Sequence, residues 1–189
     1  VSAVLRPLSW IYVAGAAGTE RHLLLGDSIE APLFTRAEAG VRLRDVWFSG
    51  GVMRRGGTTL DAPVIFRAQT PTVIDSAALG YFAGIRGRLW KALYADIQGI
   101  RWSDTAAYYR PRYQARSELY VSTSLLDRFP TGNFHFLASA AHEYRSATWW
   151  PDDAGPVRVQ GYRTLSTLIQ VRIVNAEIFW NFRNLLGER

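Results

Sequence analysis

Apolar and polar residues alternate along most of this chain with a period of two, the pattern of strands whose two faces meet different surroundings. The plainest run sets Leu165, Thr167, Ile169, Val171 and Ile173 on one face, against Ser166, Gln170 and Arg172 with Leu168 on the other. After a Val174-Asn175 link the alternation resumes, Ile178, Trp180 and Phe182 opposing Glu177, Phe179, Asn181 and Arg183. The preceding pair of strands places Ala115, Leu119, Val121, Thr123 and Leu125 opposite Gln114, Arg116, Glu118, Tyr120, Ser122 and Ser124. Its return strand sets Phe134, Phe136, Ala138, Ala140 and Tyr144 against His135, Ser139, Glu143 and Arg145. Weaker alternation runs through Val46 to Met53, Leu79 to Arg86 and Leu93 to Gln98, and a first full strand is expected from Leu8 to Ala17. The polar faces are too wet for a packed core.

The links fall into two classes that take turns along the chain. Short ones are expected at Arg6-Pro7, Arg44-Asp45, Gly87-Arg88-Leu89, Asp127 to Gly132 and Val174-Asn175. Long polar ones run from Gly18 to Pro32, Gly56 to Ser76, Ser103 to Arg110 and Thr148 to Gly161. An antiparallel meander built this way has every tight turn at one end and every long loop at the other, which is the habit of transmembrane β-barrels. About ten strands of roughly 8 to 14 residues are expected, against the 9 to 11 that cross a bilayer at a tilt. The fold expectation is therefore all-β: an antiparallel, up-and-down transmembrane β-barrel segment of about ten strands, incomplete as a barrel. Trp180 and Phe182 would then face lipid.

Composition narrows this only a little. A hydrophobic fraction of 48% suits a globular domain or a barrel with its apolar residues turned outward. No apolar run approaches the ~18 residues of a spanning helix, which leaves the barrel as the way to satisfy backbone groups in lipid. Cysteine is absent, so disulfides and thiolate metal sites are excluded. The net charge of +6 is almost wholly arginine, Lys91 being the only lysine. These arginines are scattered singly, with no basic run longer than Arg54-Arg55, and so argue against nucleic acid as a partner. Trp10, Tyr12, Trp90, Trp102, Tyr108, Tyr109, Phe129, Trp149 and Trp150 gather near expected strand ends, as interfacial girdles or as fillers of a soluble β core. VSAVLRPLSW lacks the features of a signal peptide and reads as the tail of a strand, a turn and the next strand.

The C-terminal stretch LIQVRIVNAEIFWNFRNLLGER resembles the closing region of TonB-dependent outer-membrane receptors, with Asn184, Leu185, Leu186, Gly187, Glu188 and Arg189 at the place of that family's terminal Asn-Leu-Leu motif. FTRAEAGVRLRD, with Glu38, Gly40 and Val41, resembles the Glu-x-Gly strand start that follows an external loop in the same barrels. The resemblance covers most of the chain. It implies residues 1–189 as the C-terminal part of a barrel of about 22 strands around a plug, with the plug domain, the first strands, the TonB box and an aromatic-terminated last strand lacking. It further implies a bacterial outer-membrane location, lipid, plug and the TonB complex as partners, and no enzymatic activity or cofactor. The expected function is uptake of a scarce solute: a siderophore, cobalamin or an oligosaccharide. A passive porin or adhesin barrel, or a soluble β-sandwich binding carbohydrate or lipid, is the alternative.

Candidate chemistry is sparse. His22, His135 and His142 have no partners at metal-ligand spacing, and no nucleophile elbow, phosphate loop or dinucleotide fingerprint occurs. Asp152-Asp153 sits in a loop rich in proline and glycine, which suits a solvated turn better than a glycosidase or calcium pair. Arg116, Glu118, Tyr120, Glu143, Arg145, Gln170 and Arg172 form an expected lumen-facing set, either pairing across strands or lining a solute path. Arg21, His22, Tyr108, Tyr109, Arg110 and Arg112 make a basic and aromatic loop collection suited to anionic ligands, with Trp149 and Trp150 as a cap.

Overall fold

A computed structural model describes residues 1–19, 22–23, 29–60, 73–104, 108–125, 128–152 and 154–187. Ten strands form one antiparallel sheet: β1 (Ser2–Leu8), β2 (Ile11–Thr19), β5 (Leu33–Leu43), β6 (Val46–Arg55), β9 (Ala78–Trp90), β10 (Leu93–Trp102), β11 (Tyr113–Thr123), β12 (Phe134–Arg145), β15 (Tyr162–Ile173) and β16 (Ala176–Phe182). Their spatial order repeats their chain order, from β1 at one edge to β16 at the other, so the sheet is an up-and-down meander that is not closed. Three two-stranded ladders lie in the long connections: β3 (His22–Leu23) with β4 (Ile29–Glu30), β7 (Thr58–Leu60) with β8 (Val73–Asp75), and β13 (Thr148–Trp150) with β14 (Val157–Val159). Among the described residues there is no helix.

Register carries the alternation across the whole sheet. One row passes from Leu5 to Val13, Ala39, Gly50, Ala83 and Gly99. It continues through Ala115 to Tyr144, and a parallel row links Val121, Ala138, Ile169 and Trp180. This apolar face stays open: Val13 is 49% exposed, Phe48 42%, Leu119 46%, Ile169 38% and Trp180 48%. The opposite face bears the polar residues and most of the larger side-chain contacts. A hollow on it of about 750 Å³ is walled from Val4 of β1 to Gln98 of β10, six neighbouring strands, which makes the polar face the concave one.

Close aromatic contacts tighten that concave face. Tyr12 pairs with Gly40 across β2 and β5, and its ring lies where a β-carbon on Gly40 would meet it at 2.1 Å. Trp102 covers Gly80 in the same way, with ring carbons 3.0 Å from the position of an added β-carbon. Glycine at these two positions lets a large ring fold flat over the neighbouring strand, a device that restores packing to a strand weakened by glycine.

The turns depart from expectation at two places. The first tight turn is Ser9-Trp10, and Arg6-Pro7 lies inside β1, where pairing with β2 is irregular between Leu5 and Leu8. On an edge strand the N–H that proline lacks has no ladder partner to lose. The fifth and sixth sheet strands are joined at Lys91-Ala92, while Gly87, Arg88 and Leu89 belong to β9. Glycine at 87 marks a close approach within the strand: at φ 144 an added β-carbon would sit 2.1 Å from the Asp45 carbonyl oxygen. Arg44-Asp45 and Val174-Asn175 are turns as expected. Arg44, Lys91 and Val174 open their turns with φ of 55, 41 and 54, the left-handed start that matches strand twist in two-residue hairpins. The expected link from Asp127 to Gly132 falls within the connection between β11 and β12; Asp127 is outside the described residues.

Candidate functional site

The concave face holds two unlike surfaces. From the short turns up to the level of Arg36, which stands opposite Met53, it is ionic: Arg36 donates to Glu38 through Nη2 at 2.6 Å and Nε at 3.1 Å, and the Tyr12 hydroxyl donates to the same carboxylate. The Arg36 guanidinium also lies 4.1 Å over the Phe82 ring, and Tyr12 meets Trp47 edge-on at 5.2 Å. Arg86 and Asp96 approach to 3.5 Å. At the turn itself, Arg88 donates to Asp45 through Nε at 3.0 Å, and Arg42 stands 3.6 Å from the same carboxylate. The hydrogen bond from Arg88 is the main reason that the Asp45 carboxyl is held below the usual carboxylate range.

The expected lumen-facing residues all share this face. Arg116 stands opposite Glu143 and Gln98, Tyr120 opposite Tyr94, and Arg172 opposite His135 and Glu177. Tyr94 and Tyr120 stack at 5.0 Å, Arg145 lies 5.5 Å over the Tyr162 ring, and Gln170 donates to Glu177 at 2.8 Å. Arg116 reaches Glu118 on its own strand at 3.7 Å. Such exposed pairs stabilise by at most about 1 kcal/mol each, so this band is a polar lining of modest rigidity. His135 contacts Ser122 at 3.2 Å, and among the described residues no group of three acidic or histidine side chains gathers to hold a metal ion.

Toward the long loops the concave face turns apolar. Met53, Ala78 and Trp102 are buried there, with Phe34, Phe82 and Ile100 packed against them. Beside this cluster a hollow of about 390 Å³ is walled by Gly18, Thr19, Pro32, Phe34, Met53, Arg55 and Trp102. The run Phe82, Ile100, Trp102 on a face otherwise polar is the sequence signal for it. Alternation alone passes over such a signal, because the residues come from strands far apart in the chain.

The loop residues divide. Tyr108 forms a bridge with Trp149, the Tyr109 N–H donates to the Trp149 carbonyl at 3.0 Å, and the Tyr109 ring meets Trp150 edge-on at 4.8 Å. The loop after β10 and the loop after β12 are thereby fastened together. Burial raises the Tyr109 hydroxyl above its ordinary pKa. Arg110 is turned inward, 8% exposed, 2.6 Å from Asp104 and 5.1 Å over the Trp102 ring. Arg112 lies 5.3 Å over the Tyr113 ring. His22 belongs to β3, while Arg21, Asp153, Glu188 and Arg189 lie outside the described residues.

No protein-family model, curated protein or solved structure matches this chain. The functional reading therefore rests on its own geometry and chemistry. That geometry is a wall with a greasy outside and a wet inside, loops fastened at one end, and an apolar hollow beneath them.

Proposed function

We propose that this chain forms part of the wall of a bacterial outer-membrane β-barrel, in a receptor that captures a scarce solute at its long loops and imports it with TonB-derived energy delivered through a plug domain. One observation carries the reading: across the ten strands of the sheet, one face is predominantly apolar and stays exposed. Ten strands about 4.8 Å apart and about 30 Å long give that face an area on the order of 1,300 Å², well beyond the few hundred Å² of apolar patch that a protein in water ordinarily shows. Hydrocarbon is the solvent such a face fits.

The polar concave face would give the solute and the plug an immobile, hydrogen-bonding surface. Loop binding by itself favours neither side of the membrane, so directed release needs a second state whose affinity is lower. The resemblance of the C-terminal stretch supports an energised receptor over a passive pore. A soluble sandwich needs a second layer over the apolar face, and the described residues supply none.

The test is fractionation of the full-length protein in its own cell, followed by electrophoresis with and without boiling. Recovery with the outer membrane and a heat-dependent change of mobility are expected. Recovery in the soluble fraction sinks the proposal, and solute uptake that persists without the energising complex turns it into a porin.

A further inference from the structure

The hollow at the long-loop end is out of character with the face that contains it. Three of its walls, Phe34, Met53 and Trp102, are apolar, whereas the neighbouring hollow nearer the turns is lined by Arg6, Arg42, Arg86, Glu38 and Asp96. Trp102 is 8% exposed, and its indole N–H is buried with no acceptor among the described residues. Buried donors of that kind are rare, because each forfeits its hydrogen bond to water. Arg55, on the same face opposite Phe34, is half-buried at the rim. Among the described residues it has no carboxylate partner, in contrast to Arg36, Arg88 and Arg110. A partly desolvated guanidinium beside an apolar cavity favours one kind of guest: a body that leaves water readily, with a single anionic group within reach of the cation.

We propose that this hollow binds a small amphiphilic organic anion, its apolar body against Phe34, Met53 and Trp102 and its charged group on Arg55. The space of about 390 Å³ admits a fused pair of aromatic rings or a short branched chain, and falls at the small end of ordinary ligand pockets. The proposal names a ligand class for the receptor reading and rests on it only for which side of the membrane the hollow meets. Gly18 provides a way to close the site without disturbing the sheet, since an added β-carbon there meets nothing within 4 Å.

The experiment is equilibrium dialysis of naphthalene-2-carboxylate, with 2-naphthalenemethanol as the uncharged counterpart, against the full-length protein in phosphatidylcholine nanodiscs and against empty discs. Saturable binding of the carboxylate above the empty-disc value is expected. Gly18→Phe should weaken both probes about tenfold or more, by occupying the cavity. Arg55→Gln should weaken the carboxylate about tenfold and leave the alcohol within about twofold, because only one probe carries the charge. Absence of saturable binding, or equal binding by wild type and Gly18→Phe, overturns the site. Membrane fractionation of the same protein reports separately on the barrel, so a failed pocket and a failed barrel give different results.

Discussion

The two faces of this sheet are built from the same strands yet held by different physics. On the convex face Val13, Val41, Phe48, Tyr81 and Ile178 are more than one-third exposed. The concave face is organised by directed contacts, among them Arg36 with Glu38, Tyr94 on Tyr120 and Trp102 over Gly80. The difference teaches that this chain stabilises its inner face by specific partners and leaves its outer face to the solvent. On the proposed reading that solvent is hydrocarbon, which relieves the cost of so much exposed apolar surface.

The sharpest way to break the comparison is to exchange one residue on each face. Ile169→Arg places a charge in the outer row between Ala138 and Trp180. It should cost about 2–4 kcal/mol if that row meets the bilayer midplane, while the adjacent Gln170→Arg on the inner face should cost less than about 1 kcal/mol. Urea unfolding of the full-length protein in lipid measures both, and equal losses would dissolve the distinction between the faces.

A second probe stays on the inner face and asks whether it is packed. Gly40→Val drives a branched side chain into the Tyr12 ring, which Glu38 and Trp47 hold in place. A loss of about 1–3 kcal/mol is expected from overpacking. Gly18→Ala, in open space on the same face, should change stability by less than about 0.5 kcal/mol. If both variants unfold at the same denaturant concentration, Tyr12 is not fixed as described.

How far the sequence reveals this molecule depends on the range of the interaction. Period-two alternation is local, so the outer row through Val121, Ile169 and Trp180 can be read from the residues, and so can turns such as Arg44-Asp45. Proline and glycine misdirect at Arg6-Pro7 and Gly87. Both are usual turn signals, but here an edge strand and a close approach to the Asp45 carbonyl account for them. Arg110 looks like an outward loop cation until Asp104 and Trp102 are seen to hold it. The apolar hollow is the least legible feature, since Phe34, Met53 and Trp102 meet only after strands β5, β6, β9 and β10 are aligned.

The smallest expected effect concerns acid. Because Arg88 holds the Asp45 carboxyl below its ordinary value near 3.9, this contact contributes its full stability above that ordinary value and loses it as pH falls through the depressed one. Asp45→Asn should remove this part of the acid sensitivity: its small loss of stability is expected at neutral pH and should vanish in acid, where the wild-type carboxyl is protonated as well. A variant whose acid limb superimposes on the wild type would show that the turn is not held by this pair.

The strict agreement between chain order and spatial order, from β1 to β16, has a consequence for assembly and descent. Each main strand finds its partners in the preceding and following members of the series, so the sheet can grow by successive hairpins without threading one segment past another. Duplication or loss of a hairpin would widen or narrow such a wall while leaving every other register intact.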